Sequence, residues 1–97
     1  MNMNQILKQA QAMQKDITKQ QEEVAKMTFT ASKDLVTVEV NGSREVTKVT
    51  LSKDIDTDDI EMLEDMILIA TNDALKQAEK EMEKRLGKYS SAMPGLF

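Results

Sequence analysis

Apolar residues recur every three or four positions through the first 27 residues of the chain, if the polar Gln20 is counted at the one gap in the pattern. This segment contains neither Gly nor Pro and consists largely of strong helix formers. The residues that follow the spacing are Met3, Ile6, Ala10, Met13, Ile17, Val24 and Met27. Such spacing gathers side chains on one face of a helix. Residues 1–27 therefore predict a long helix with a narrow apolar seam.

The pattern changes to alternation between residues 28 and 53. Phe29 and Ala31 alternate with threonines, and a second run places three valines on one face of a strand. These valines are Val36, Val38 and Val40. A third run, REVTKVTL, follows a short turn signal. The segment therefore predicts a three-stranded antiparallel β-meander.

The dipeptide Asn41-Gly42 separates the second and third runs. It is typical of a two-residue type I′ turn, in which both residues take positive φ. Such a turn would place Glu39 opposite Arg44, a favourable pair of charges. Val46 and Val49 would then lie on opposite faces of the return strand. We therefore expect a β-bulge or an edge position in this strand.

Helical spacing returns at Thr57 and continues to Gly87, where a helix end is expected. Thr57 or Asp58 is the expected N-cap, and Asp58 with Glu61 has the spacing of a capping box. Residues 88–97 contain Ser, Gly and Pro and predict a loosely ordered tail. The whole chain, residues 1–97, predicts one α+β domain: long helix, β-meander, long helix.

The second predicted helix carries more apolar residues than one packing surface can cover. Five apolar residues run without a break from Met66 to Ala70, whereas a surface helix normally carries one apolar stripe. The first helix could fold back over the excess, but its seam is narrow. A second copy of the chain is the more economical cover. The predicted dimer interface consists of Met62, Met66, Ile67, Ile69 and Ala70.

The composition lacks the residue types on which most catalytic sites depend. The chain has no Cys and no His, so it lacks a disulfide framework, a thiol nucleophile and the commonest general base. No catalytic constellation, cofactor site or small-molecule substrate is expected. No signal sequence or membrane span is apparent, so we expect a soluble cytoplasmic protein.

An acidic run, DIDTDDIEMLED, invites comparison with a calcium-binding loop. Its carboxylates at places one, three, five and twelve match, but Asp59 stands at the sixth place, where the loop needs Gly. The same residues suit the start of a helix, where negative charge is favourable. We therefore expect a helix cap and no metal site.

Two rows of lysines lie on the predicted helices. The first row is Lys8, Lys15, Lys19 and Lys26, and the second is Lys76, Lys80, Lys84 and Lys88. Like charges four residues apart repel each other in a helix, and a bound polyanion would turn this repulsion into attraction. Glu79, Glu81 and Glu83 interleave with the second row, and the net charge is −4. Charge alone therefore favours an ordinary solvated face over a DNA site.

The chain as a whole resembles the YbaB/EbfC family of bacterial nucleoid-associated proteins. The likeness rests on QILKQAQAMQKDI, LVTVEVNGSREVTKVTL, DDIEMLEDMILIATNDALKQAEK and the ending MPGLF. It implies a tweezer-like homodimer whose helical arms grip duplex DNA with weak or broad sequence selectivity. It also implies a role in nucleoid organisation and gene expression, a location in the nucleoid and no enzymatic activity.

With that resemblance, both lysine rows lie on the arm helices and become candidate phosphate contacts. Glutamines on the first helix could add hydrogen bonds to phosphates or base edges. The predicted DNA-binding residues are Gln5, Lys8, Gln9, Gln11, Lys15, Lys19, Lys80, Lys84, Arg85 and Lys88. The alternative is a dimeric scaffold that holds a partner protein between its arms. The methionines near the arm tips suit that second function.

Overall fold

Two long helices flank a three-stranded antiparallel sheet, in the chain order that the sequence pattern predicts. The computed structural model describes residues 2–92, and side chains as far as residue 89. The elements are α1 (Met3–Ala25), β1 (Thr28–Lys33), β2 (Val36–Asn41), β3 (Val46–Leu51) and α2 (Ile60–Ala92). The α+β class and the β-meander are thereby confirmed.

The helix α2 does not end at Gly87, the predicted stop. It continues for five more residues to Ala92, so residues 88–92 of the predicted loose tail are helical. The rest of that tail, residues 93–97, lies outside the described residues. Gly lowers helix stability by only about 1 kcal/mol relative to Ala. One such residue does not by itself stop a helix.

The core lies between α2 and the first two strands. The sheet order is β1-β2-β3, and Val36, Val38 and Val40 on β2 are completely buried. On the facing helix the buried residues recur every fourth position: Met66, Ala70, Ala74 and Ala78. Three of these four are alanines, so the helix backbone can approach the sheet closely.

β3 lies beside this core but is not covered by it, since all six of its residues are exposed. The register pairs Val46 with Val40 and Val49 with Val38, so these β3 residues share the inner face of the sheet. A register shift between Glu39 and Val40 makes this possible, which confirms the expected bulge. The inner-face residues of β3 are Val46, Val49 and Leu51, with exposures of 47%, 46% and 45%.

The β2–β3 connection differs from the predicted type I′ turn. The Asn41 carbonyl accepts the Arg44 N–H at 3.1 Å, and the Asn41 N–H donates to the Glu45 carbonyl at 3.0 Å. The loop therefore has three residues, Gly42 to Arg44, and Arg44 takes the left-handed conformation with φ 65°. Glu39 pairs with Lys48 and not with Arg44, so the predicted Glu39–Arg44 pair is wrong.

Gly42 has a packing role in this loop. A Cβ at this position would lie 1.7 Å from the Val24 carbonyl oxygen of α1, and the Gly42 N–H donates to the Met27 carbonyl at 3.2 Å. The end of α1 therefore rests directly on the hairpin loop. The Asn-Gly signal marked a real turn, but this glycine is needed for close backbone approach.

The start of α2 is capped by Asp59. Its Oδ1 accepts the Met62 N–H at 3.1 Å, while Oδ1 of Asp56 accepts the Asp58 N–H at 2.9 Å in a preceding turn. The cap predicted at Thr57 or Asp58, with its capping box to Glu61, is therefore wrong by one or two residues. The negative charge still lies at the positive end of the helix dipole.

α1 and the second half of α2 run antiparallel and form an arm. Arg85 on α2 donates to Glu23 at 2.8 Å and to Gln20 at 3.1 Å, and the Tyr89 hydroxyl donates to Asp16. We call these contacts the arm clasp. From Met3 to Ala12 α1 is exposed on all sides, so the arm tip is a single helix. The chain consequently measures 69 × 21 × 14 Å.

The two glycines make a matched test of this packing. We expect Gly42→Ala to lower the free energy of unfolding by about 3 kcal/mol, because the methyl group overlaps the α1 backbone. At Gly87 an added Cβ would meet no described atom within 4 Å. Gly87→Ala should therefore raise the stability by roughly 0.5–1 kcal/mol through helix propensity. Urea denaturation followed by circular dichroism measures both, and equal effects of the two substitutions would contradict the close approach at Gly42.

Candidate nucleic-acid interface

The α1 lysines form one exposed face of the arm. Lys8, Lys15 and Lys19 lie opposite Ile17 and Val24, the two buried residues of this helix, because the rows are offset by about half a turn. Lys15 and Lys19, with the neighbouring polar residues, border a shallow depression of about 590 Å³. Its lining is Gln11, Gln14, Lys15, Thr18, Lys19 and Glu22. The predicted residues Gln5 and Gln9 are exposed on the same helix, nearer the tip.

The α2 lysines form a second exposed face. Lys76, Lys80 and Lys84 are exposed at intervals of four residues, about 6 Å apart along the helix axis. Within the described part of the chain none of the three has an ion-pair partner. This face points away from the sheet and from α1. The two lysine faces therefore lie on opposite sides of the arm.

Arg85 and Lys88, predicted as DNA contacts, are engaged within the chain. Arg85 donates to Glu81 at 2.9 Å as well as to Glu23. These hydrogen bonds, that to Glu81 foremost, raise the pKa of the guanidinium above its ordinary value. Lys88 lies 3.7 Å from the Asp16 carboxylate. Both cations already have carboxylate partners, so a phosphate would have to compete for them.

The arm clasp also shifts the pKa values of Asp16 and Tyr89. The Tyr89 hydroxyl donates to the Asp16 carboxylate, which lowers the pKa of Asp16 below its ordinary value. The same hydrogen bond raises the pKa of Tyr89. Asp16, Gln20 and Glu23 follow one another at steps of four and three beside the apolar seam. This spacing in the sequence indicates that α1 presents a polar strip to another helix.

Arg44 is a candidate site residue that the sequence pattern does not indicate. Its guanidinium lies on the body, 3.7 Å from Glu79 of α2. Beside it is a cleft of about 320 Å³ at the point where the arm leaves the body. The lining residues are Arg44, Asn72, Leu75, Lys76 and Glu79.

The predicted dimer residues separate into two groups. Met66 and Ala70 are buried in the chain's own core, and Ile67 packs against it. Met62 and Ile69 remain exposed on α2, as do Ile60 and Leu68. The sheet β1–β2 thus covers part of the apolar run that was expected to require a second copy, and part stays uncovered.

Neither a metal site nor a membrane helix emerges from residues 2–92. In this range no cluster of three His, Cys, Asp or Glu side chains could hold a metal ion. None of the helices described is long and apolar enough to cross a bilayer.

Comparison with known proteins gives relatives along the whole chain. A nucleoid-associated protein of Lactococcus lactis subsp. cremoris (strain MG1363) is 45% identical over 97 residues, which is 97% of this chain and 98% of the relative. A nucleoid-associated protein of Chloroflexus aurantiacus (strain ATCC 29366 / DSM 635 / J-10-fl) is 41% identical over 100 residues, the full length of both.

A solved structure shows the same fold. The crystal structure of an uncharacterized protein from Helicobacter pylori superposes with a TM-score of 0.78 at 21% identity. The match covers 92% of this chain and 97% of the other. The model of the YbaB/EbfC DNA-binding family matches residues 1–93. Since this model and the relatives extend over nearly the entire sequence, the chain belongs to the YbaB/EbfC DNA-binding family.

Proposed function

We propose that this protein binds duplex DNA through its arms, as a nucleoid-associated protein without enzymatic activity. The observation that carries the proposal is the pair of exposed lysine faces, most of whose cations have no acidic partner in the described structure. Family membership and the names of the relatives support DNA as the polyanion. The site of action is then the nucleoid.

Phosphate contacts explain the arrangement better than helix stability does. Lysines four residues apart repel each other, and a phosphate backbone alongside them removes the repulsion and releases counterions. Such contacts position the protein without reading base sequence, so selectivity is weak or broad. Gln5, Gln9 and Gln11 on α1 supply donors and acceptors for additional contacts to phosphates or base edges.

The distribution of charge is consistent with binding at the arms. Residues 56–75, which include the half of α2 over the sheet, carry seven acidic residues and no basic one. The lysine faces lie beyond that segment. At physiological salt, charges more than about 8 Å apart in solvent are largely screened. The local field at the arms thus decides binding, despite the net charge of −4.

We further propose that two copies associate through the part of α2 around Leu68 and the half-exposed inner face of β3, in an arrangement that leaves the Arg44 cleft, nearer the arm, uncovered. Leu68, Asn72, Leu75 and Glu79 follow helical spacing, and the last three border the Arg44 cleft beside the hairpin loop. Leu68, which is 59% exposed, therefore lies on the β3 side of α2, and Val49 on the inner face of β3 is half exposed as well. A second copy would bury this apolar surface, as soluble oligomers commonly do in symmetric pairs.

A second candidate function is a dimeric scaffold that binds a protein between its arms. The observation in its favour is the apolar arm tip, where Met3, Ile6 and Leu7 have exposures of 81%, 48% and 57%. Flexible apolar side chains suit adaptable protein contacts. This function does not require the lysine faces, so the salt dependence of DNA binding separates the two.

The DNA-binding proposal is tested by removing charges in pairs. We expect Lys80→Gln/Lys84→Gln or Lys15→Gln/Lys19→Gln to weaken binding to every duplex alike. For each phosphate contact that a variant removes, the slope of log affinity against log salt should fall by about one unit. Fluorescence anisotropy with mixed-sequence duplexes at several salt concentrations measures the slope. The control is Lys33→Gln/Lys53→Gln, which removes the same charge from the body. Unchanged slopes in both arm variants, or no binding by the natural protein at low salt, would favour the scaffold.

The dimer proposal is tested by two neighbouring residues. Leu68→Glu should give a monomer, because a charge buried without a partner in an interface is strongly unfavourable. Ile69→Glu is the control, since Ile69 is also exposed but is turned about 100° from Leu68, toward the β1 side. Light scattering at micromolar concentration gives the mass of each. A monomeric natural protein would contradict the proposal, and dissociation by Ile69→Glu alone would move the interface to the other flank.

A further inference from the structure

The cleft beside Arg44 has the composition of an anion site. It brings together a guanidinium, the ammonium of Lys76 and the amide of Asn72, above an apolar wall formed by Leu75. We propose that Arg44 and Lys76 bind a backbone phosphate of DNA at the base of the arm. This inference rests on the proposed function and extends the α2 lysine face into the body of the protein.

The position of the cleft makes it continuous with the arm. Lys76 is the first lysine of the row that continues through Lys80 to Lys84, and it also lines the cleft. The rise between Lys76 and Lys84 is about 12 Å, and phosphates on one strand recur about every 3.4 Å along the duplex axis. A strand that follows this row toward the body therefore reaches Arg44 next.

The backbone holds Arg44 in an uncommon conformation. Its φ of 65° is in the left-handed region, which few residues other than Gly, Asn and Asp adopt. The Asn41 side chain fixes the loop, since its Oδ1 accepts the N–H groups of Ser43 at 2.9 Å and Glu45 at 3.0 Å. Conformations of this kind cost stability and cluster at ligand-binding sites. A glycine would fit the backbone better but would leave the cleft without its guanidinium.

The donor set matches a phosphate in particular. A guanidinium offers parallel N–H groups that bind two phosphate oxygens at once, and an ammonium adds a compact charge. The cleft lining includes no aromatic side chain on which a base could stack. Its volume of about 320 Å³ is at the lower end for small-molecule sites. A phosphate group with its sugar is therefore the ligand that the lining residues fit.

Glu79 is the competing group. Its carboxylate lies 3.7 Å from the Arg44 guanidinium, and both side chains are more than half exposed. An ion pair so open to solvent contributes little to stability. A phosphate that accepts two hydrogen bonds from the guanidinium, with Lys76 beside it, therefore displaces the Glu79 carboxylate at little cost.

The test compares two charge-matched variants. Arg44→Gln/Lys76→Gln removes two cations, one of which has an acidic neighbour. The control Lys33→Gln/Lys53→Gln also removes two cations, and Lys33 likewise pairs with Asp34, at 3.9 Å. Both control lysines lie at the opposite end of the sheet, where β1 turns into β2 and β3 ends. That separation, roughly 17 Å along six-residue strands, exceeds the screening length.

Anisotropy titrations with a 30-base-pair duplex at several salt concentrations give the result. The cleft variant should lower the salt slope by about two units, at about 0.9 units for each lost contact. If the variant and the natural protein bind equally at 1 M salt, this slope makes the variant bind roughly thirtyfold more weakly at 0.15 M salt. The control should keep its slope. An unchanged slope in the cleft variant, with normal binding by the natural protein, overturns this site and leaves the proposed function intact. No binding by the natural protein overturns both.

Glu79→Gln should change DNA affinity in the opposite direction. It frees Arg44 from its carboxylate neighbour, so binding should tighten more than in Glu61→Gln, which removes a charge from the first turn of α2. If the Arg44–Glu79 pair had only a structural role, Glu79→Gln would lower thermal stability without tightening DNA binding. That result would contradict the proposal. Lys76→Gln alone repeats the test without touching the hairpin loop, and its slope should fall by about one unit.

Discussion

One helix covers two strands of a three-stranded sheet, and most features of the molecule follow from this mismatch in width. Ala70, Ala74 and Ala78 let α2 approach β1 and β2 closely, which buries the valines of β2 completely. The same close approach keeps the helix from reaching over β3. Apolar side chains therefore stay half exposed on β3 and on the adjoining flank of α2. A chain of this size has little other apolar surface with which to cover them.

The arm depends on a different kind of contact. Few apolar residues join α1 to the end of α2, and the clasp of Arg85, Tyr89 and Asp16 supplies polar partners between them. The clasp uses the inward-facing charges of both helices. It leaves the outward-facing lysines for solvent or a ligand. Acidic residues are concentrated on the body, so structure and charge together divide the molecule into a body and an arm.

Periodicity was enough to predict the elements and their order. The heptad-like seam of α1, the alternating valines of β2 and the long helical spacing of α2 each have one physical interpretation. Even the bulge could be inferred, because Val46 and Val49 could not otherwise share a face. These features depend on local side-chain geometry, which a single sequence records.

The contacts that local patterns do not predict join residues far apart in the chain. Nothing local to Asn41-Gly42 shows that Val24 lies against Gly42, so the local pattern predicts only a turn former at this glycine. In the sequence, Arg85 cannot be distinguished from the neighbouring lysines. Only the fold places Gln20 and Glu23 of α1 beside it. Met66 and Ala70 belong to the predicted dimer interface, and in the structure the chain's own sheet packs against them. The Arg44 cleft likewise forms only when the hairpin loop meets α2.

The central claim is that DNA lies along the arms and does not reach the end of the body that carries Lys33 and Lys53, and lysine footprinting tests it most directly. The protein is acetylated with and without a duplex, and mass spectrometry gives the reaction rate of each lysine. The account predicts slower acetylation on the arm, at Lys80 and Lys84 or at Lys15 and Lys19, with unchanged rates at Lys33 and Lys53. Protection of the body lysines, or equal protection of all lysines, would contradict it.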